Sequence, residues 1–199
     1  PYKSINNPEK YIIVFGDSHA SDIYLGLIQN DSNKNFYLLP NNLNCFEILS
    51  KGDDIHFFEK FTKVIFNKKS TSRFEYEKCY NDFKKLEHLI NKIGENKKIT
   101  ILLAMMWDED EIKNISFFFD RMKNYQIDIT IISKRLRLPK YYMTMLRGNN
   151  IDDSNKIFNH RLKRFKNFNG KLKKIAIKNN AKFLNLNKFI CSQKSTNCT

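Results

Sequence analysis

No apolar run in these 199 residues approaches the roughly twenty that a membrane-spanning helix needs. No basic, then apolar, then small-residue order of a secretion signal opens the chain either. Its four cysteines form no CxxC pair, and no histidine lies near Cys191 or Cys198, so no metal site is expected. Glycine-rich phosphate loops are missing too: neither GxGxxG nor a P-loop occurs, and no cofactor is expected. Basic residues are not interleaved with aromatics and show no zinc-finger spacing, which argues against nucleic acid as a partner. With neither an internal repeat nor a linker, residues 1–199 read as a single domain. The chain begins with Pro1 and not Met, so the expectation is a piece of a longer polypeptide whose export signal or membrane part lies upstream.

What is present suffices for a core. Hydrophobic residues make up 41% and aromatics 14%, with seventeen Phe and nine Tyr, so disorder is not expected. Lys and Arg number 35 against 21 Asp and Glu, a formal charge of +14. Such an excess suits an anionic neighbour. It also suits a solvated surface, because it reads as spread through pairs such as Lys68-Lys69, Lys84-Lys85, Lys97-Lys98 and Lys173-Lys174.

Cys45, Cys79, Cys191 and Cys198 allow three pairings. Cys191 and Cys198 flank a short polar loop that can close as a small ring, which leaves Cys45 with Cys79. Two disulfides imply an oxidising compartment, and free thiols are the alternative.

Apolar periodicity alternates between strand and helix. Tyr11 to Phe15 is a short β-branched and aromatic run ended by Gly16, as in a parallel strand buried on both faces. Ala20, Ile23 and Leu27 then follow helical spacing. Further strands are expected at Phe36–Leu39, Ile99–Met106, Ile127–Ile132 and Ala181–Leu186. Helices are expected over residues 54–66, 74–93 and 154–179, and from the carboxylate run Asp108-Glu109-Asp110-Glu111, which suits a helix N-terminus. Residues 67–72 and 138–150 read as loops. The pattern predicts an α/β fold, a three-layer α/β/α sandwich on a parallel sheet of about five strands.

Ser18 follows a buried strand and a glycine and opens a helix. A side chain there projects from the sheet edge while the free N–H groups of the first helical turn point to the same place, an arrangement that stabilises a developing oxyanion. Two roles are open to it: nucleophile, or simple helix cap.

The run Val14-Phe15-Gly16-Asp17-Ser18-His19-Ala20 resembles the first block of the SGNH hydrolase superfamily, in the Gly-Asp-Ser-His form of SGNH domains fused to membrane acyltransferases of the acyltransferase-three family. Two later stretches are similar to that subgroup: the apolar run Ile101 to Met106 ending at Trp107, and Leu172 to Ala176, Phe183-Leu184 and the Cys191 to Cys198 pair. The resemblance implies a flavodoxin-like fold, Ser18 as nucleophile, and Gly16, Asp17 and His19 shaping the site. Trp107, where other members carry Asn, would stack on a sugar or pack. The family's closing Asp-x-x-His block, the base and its orienting acid, occurs nowhere in residues 1–199 and is expected after Thr199. His56 is a weak substitute, while His88 and His160 lie in helical patterns and read as surface or packing residues. No second-block glycine is identifiable.

The resemblance thus implies the extracytoplasmic domain of a membrane-anchored O-acyltransferase. Its partners would be an acyl donor delivered by the membrane domain and a cell-surface polysaccharide that accepts an acetyl-type group, at the periplasmic or extracellular face. An esterase needs the same residues. A glycan-binding module that keeps the fold without the chemistry is the alternative of another class.

Overall fold

The computed structural model describes residues 10–31, 35–41, 45–50, 73–134 and 151–186. The helix expected over 54–66, the loops at 67–72 and 138–150, His56, and the Cys191–Cys198 ring lie outside the described residues. The chain is α/β: a five-stranded parallel sheet in the order β2-β1-β3-β4-β5, flanked by helices as a three-layer sandwich. The strands are β1 (Lys10–Gly16), β2 (Asn35–Pro40), β3 (Lys98–Ala104), β4 (Ile127–Ile132) and β5 (Lys182–Leu184). The helices are α1 (Ser18–Asn30), α2 (Cys45–Ser50), α3 (Arg73–Ile93), α4 (Glu109–Met122) and α5 (Ile151–Lys178). The chain divides into two compact units, Pro1–Thr130 and Ile131–Thr199.

In the first unit β1 is central, in parallel register with β2 on one side and β3 on the other. Alternation along β1 sends Phe15 to one face and Val14 to the other, and both are fully buried. On the Phe15 face an aromatic cluster forms the core. Phe15 meets Phe83 of α3 at 5.3 Å and Phe118 of α4 at 5.9 Å, and Phe46 of α2 meets Phe83 and Phe118 at 6.0 and 5.6 Å. Edge-on and offset pairs of this kind add to the apolar burial itself. Helix α1 connects β1 to β2 and packs on these strands, with Ala20 fully buried.

Cys45 of α2 is joined to Cys79 of α3, as the cysteine spacing led one to expect. A bridge that closes 34 residues contributes about 3–4 kcal/mol, chiefly by restricting the unfolded chain. The acidic run behaves as the dipole argument requires: Asp108 caps α4, accepting from the amides of Asp110 and Glu111 at 3.0 and 2.8 Å. Gly94, at φ +92°, ends α3.

In the second unit, Asn169 of α5 holds the turn that follows β4, accepting from the Lys134 amide at 3.0 Å. The Ser133 amide donates to the Leu184 carbonyl at 2.9 Å. Helix α5 ends on Asn180 in the left-handed conformation (φ +53°), and the Ala181 amide reaches back to the Ala176 carbonyl at 2.8 Å.

Candidate active site

The parallel register aligns Gly16 of β1 with Pro40 of β2 and Ala104 of β3, so all three strands deliver their next residues to one sheet edge. This is the carboxyl edge, and β1 is where the chain order reverses direction across the sheet. Open α/β sheets bind ligands at such a point. Ser18 stands there as the first residue of α1, exposed between buried Asp17 and buried His19.

The capping role left open for Ser18 belongs to Asp17. Asp17 is the N-cap of α1, and its Oδ1 accepts from the His19 amide at 2.8 Å. Its other oxygen accepts from the Met106 amide at 2.7 Å, across from the segment that follows β3. One carboxylate thus closes the first turn of α1 and ties it to the neighbouring strand end. Ser18 itself, relieved of capping, keeps an exposed side chain at the positive end of a 13-residue helix.

Only a carboxylate satisfies both amides, because each of its oxygens accepts. In Asp17→Asn one of the two N–H groups faces the –NH2 of the new side chain. We expect the variant to lose about 2–3 kcal/mol, the range for a charged hydrogen bond replaced by a buried mismatch. Urea unfolding measures it, and an unchanged midpoint at unchanged slope would refute the clamp.

Gly16 is where the backbone has to be bare. Its φ is +151°, and a Cβ added there would sit 1.8 Å from the Ala104 carbonyl oxygen. That close approach draws β1 and β3 together beside Ser18.

Trp107 lies at this edge too, on the segment that Asp17 holds. It is fully buried, with its ring 6.4 Å from that of Phe46. Of the two roles open to it, this burial favours packing. His19 is buried, with its backbone amide on Asp17, while His88 is exposed on α3.

Asn41 was not foreseen. It follows β2, and its amide donates to the Gly16 carbonyl at 2.6 Å, which fixes it beside the Ser18 turn. The residue is 4% exposed, yet both polar atoms of its side chain lack a hydrogen-bond partner. A buried amide in that condition costs about 1–3 kcal/mol. Sequence offered only an asparagine after a strand-ending proline, a pattern shared with ordinary turns.

Among the described residues no cluster of His, Cys, Asp and Glu is arranged to hold a metal ion. A cavity of about 120 Å³ lies at the opposite, amino edge of the sheet, lined by residues such as Ile90, Glu95, Ile99 and Tyr125, away from Ser18. No protein-family model, curated protein or solved structure matches the chain.

Proposed function

We propose that this chain is an acyl-handling domain in which Ser18 is the nucleophile, and that it serves as the extracytoplasmic part of an O-acyltransferase acting on a cell-surface polysaccharide. One observation carries the reading: Ser18 is exposed at the N-terminus of α1, at the switch point of the sheet, while Asp17 does the capping. The resemblance of residues 14–20 to the Gly-Asp-Ser-His block supports the same role, and the disulfide Cys45–Cys79 suits an oxidising compartment.

In the reaction the Ser18 hydroxyl oxygen attacks the acyl carbonyl of a donor supplied by the membrane domain. An ester bond to Ser18 forms as the donor's bond to the acyl carbon breaks, and the leaving group departs with the proton. A polysaccharide hydroxyl then attacks the same carbon, takes the acyl group, and returns a proton to Ser18. The positive end of the α1 dipole lies at Ser18 and favours the negative charge that develops on the carbonyl oxygen. Water in place of the acceptor makes the same site an esterase. Proton transfer needs a base, and residues 1–199 contain no Asp-x-x-His pair, so the assay uses the chain extended to include one.

In this reading the enclosed Asn41 side chain, unsatisfied beside the Ser18 turn, has to rotate outward to meet the acyl oxygen when the donor binds. The near-isosteric Asn41→Leu removes the orphaned amide. Stability should therefore rise by about 1 kcal/mol while turnover falls about 10²–10³-fold, the range for loss of one oxyanion donor. Melting temperature and initial rates on an acetylated glycan or a simple aryl ester decide it. A variant that gains stability and keeps its rate would show that Asn41 meets nothing in the reaction. Loss of turnover in Ser18→Ala tests the nucleophile independently.

A further inference from the structure

The charge is not spread. Of the 35 cationic residues, 17 fall in Ile131–Thr199, together with only 2 of the 21 carboxylates. Pro1–Thr130 keeps 18 cations and 19 carboxylates. The first unit is therefore near neutral at −1, and the second carries +15. From Ser154 to Thr199 there are twelve cations and not one Asp or Glu. A general bias toward lysine does not produce this, because the same bias in the first unit is balanced by acids.

The pairing of individual side chains repeats the contrast. On α3 and α4, Lys84 lies 3.2 Å from Glu87, Lys85 3.0 Å from Asp82, Lys113 3.1 Å from Asp110 and Arg121 2.8 Å from Glu87. Glu87 raises the pKa of Lys84 above its ordinary value, through a hydrogen bond and its charge. On α5 no carboxylate follows Asp153, so no helical neighbour one turn away neutralises Lys163, Arg164, Lys166, Lys173, Lys174 or Lys178. At about 100° per residue these exposed side chains, with exposed Lys171, cover roughly half the circumference of the helix, over about 22 Å of its length. Leu172 and Ala176 are fully buried on the other side. Ile177 stands among the cations, 64% exposed.

We propose that this face of α5 docks on an anionic lipid bilayer. The chemistry of the face selects that partner. Six of the seven cations are lysines, point charges that need no bidentate geometry. They project from one convex helix, which suits a plane better than a threaded chain. The exposed apolar group among them is aliphatic Ile177 and not an aromatic ring, so bases and sugars have no stacking platform, whereas an acyl boundary can take the side chain. The proposal does not depend on Ser18: it stands or falls whether or not the chain handles acyl groups.

Co-sedimentation of the 199-residue chain with vesicles tests it. With phosphatidylcholine vesicles containing about a third phosphatidylglycerol, binding is expected at low salt and release when salt is raised tenfold. Vesicles of phosphatidylcholine alone should leave the protein in solution. Each lysine near such a surface is worth about fivefold, so the quadruple variant Lys163→Gln, Lys166→Gln, Lys174→Gln, Lys178→Gln should weaken partitioning by at least 100-fold. The pair Lys84→Gln, Lys113→Gln, drawn from neutralised positions, should change it less than twofold. Circular dichroism of both variants confirms that the fold persists. The proposal is overturned if anionic vesicles do not bind the parent, if neutral vesicles bind it equally, if the quadruple variant binds like the parent, or if a single-stranded RNA or polyuronate binds the same face while vesicles do not.

Discussion

Gly16→Ala is expected to lower stability by about 3–5 kcal/mol, enough to remove a large part of what holds a domain of this size folded. Two effects add at the same atom. Alanine at φ +151° enters backbone space that L-residues rarely adopt, and its Cβ would lie 1.8 Å from the Ala104 carbonyl oxygen, a backbone atom that cannot swing aside. Relief requires β1 and β3 to separate at their carboxyl ends. That movement also breaks the 2.7 Å bond from the Met106 amide to Asp17 and displaces Ser18. The variant should therefore lose turnover even under conditions where it remains folded. Urea unfolding combined with an activity assay below the transition measures both effects, and a variant within 1 kcal/mol of the parent would contradict the close approach.

Ser18→Ala is expected to leave the melting temperature near that of the parent and to remove turnover, by about 10⁴-fold or more in kcat. The stability half rests on the observation that Asp17, not Ser18, caps α1, so the usual loss of about 0.5–2 kcal/mol for removing a cap does not apply. The activity half follows from chemistry, since without Oγ no covalent route exists. Measured together, the two readouts separate a nucleophile from a structural serine. Full activity in the variant removes the nucleophile, whereas a melting point that falls with activity would return Ser18 to a structural role.

Much of the fold could be read from the residues. β-branched and aromatic runs such as Tyr11–Phe15 and Ile127–Ile132 are long enough and closed by glycine or polar residues, so period and length agree. The helix of 74–93 was visible because its apolar positions recur at helical spacing over five turns; α2, six residues long, offers too few repeats to show a period. Long, strongly patterned elements declare themselves and short ones do not.

The site was legible only in part. Ser18 stood out because a serine after a strand and a glycine has few neighbours to compete with it. Its division of labour with Asp17 was hidden, since either residue of an Asp-Ser pair can cap a helix and only the geometry assigns the bond. Asn41 was hidden for a deeper reason: its place beside Ser18 is set by a backbone contact with Gly16, 25 positions earlier, which no local pattern encodes. Trp107 shows the converse, because an aromatic at a strand end can serve ligand or core, and its complete burial favours the core. The even spread of charge suggested by scattered lysine pairs gave way once the chain divided at Thr130, since net charge per unit carries what the total conceals.

Trapping an acyl group on Ser18 tests the nucleophile most directly. The chain extended through an Asp-x-x-His block is mixed with an activated acetyl ester, quenched in acid within the first turnover, and analysed by intact mass and peptide mapping. One added acetyl group per chain is expected, located on Ser18, discharged when a glycan hydroxyl or water is supplied, and missing from Ser18→Ala. Acyl transfer that proceeds with no adduct on Ser18, or with the adduct on another residue, would contradict that role.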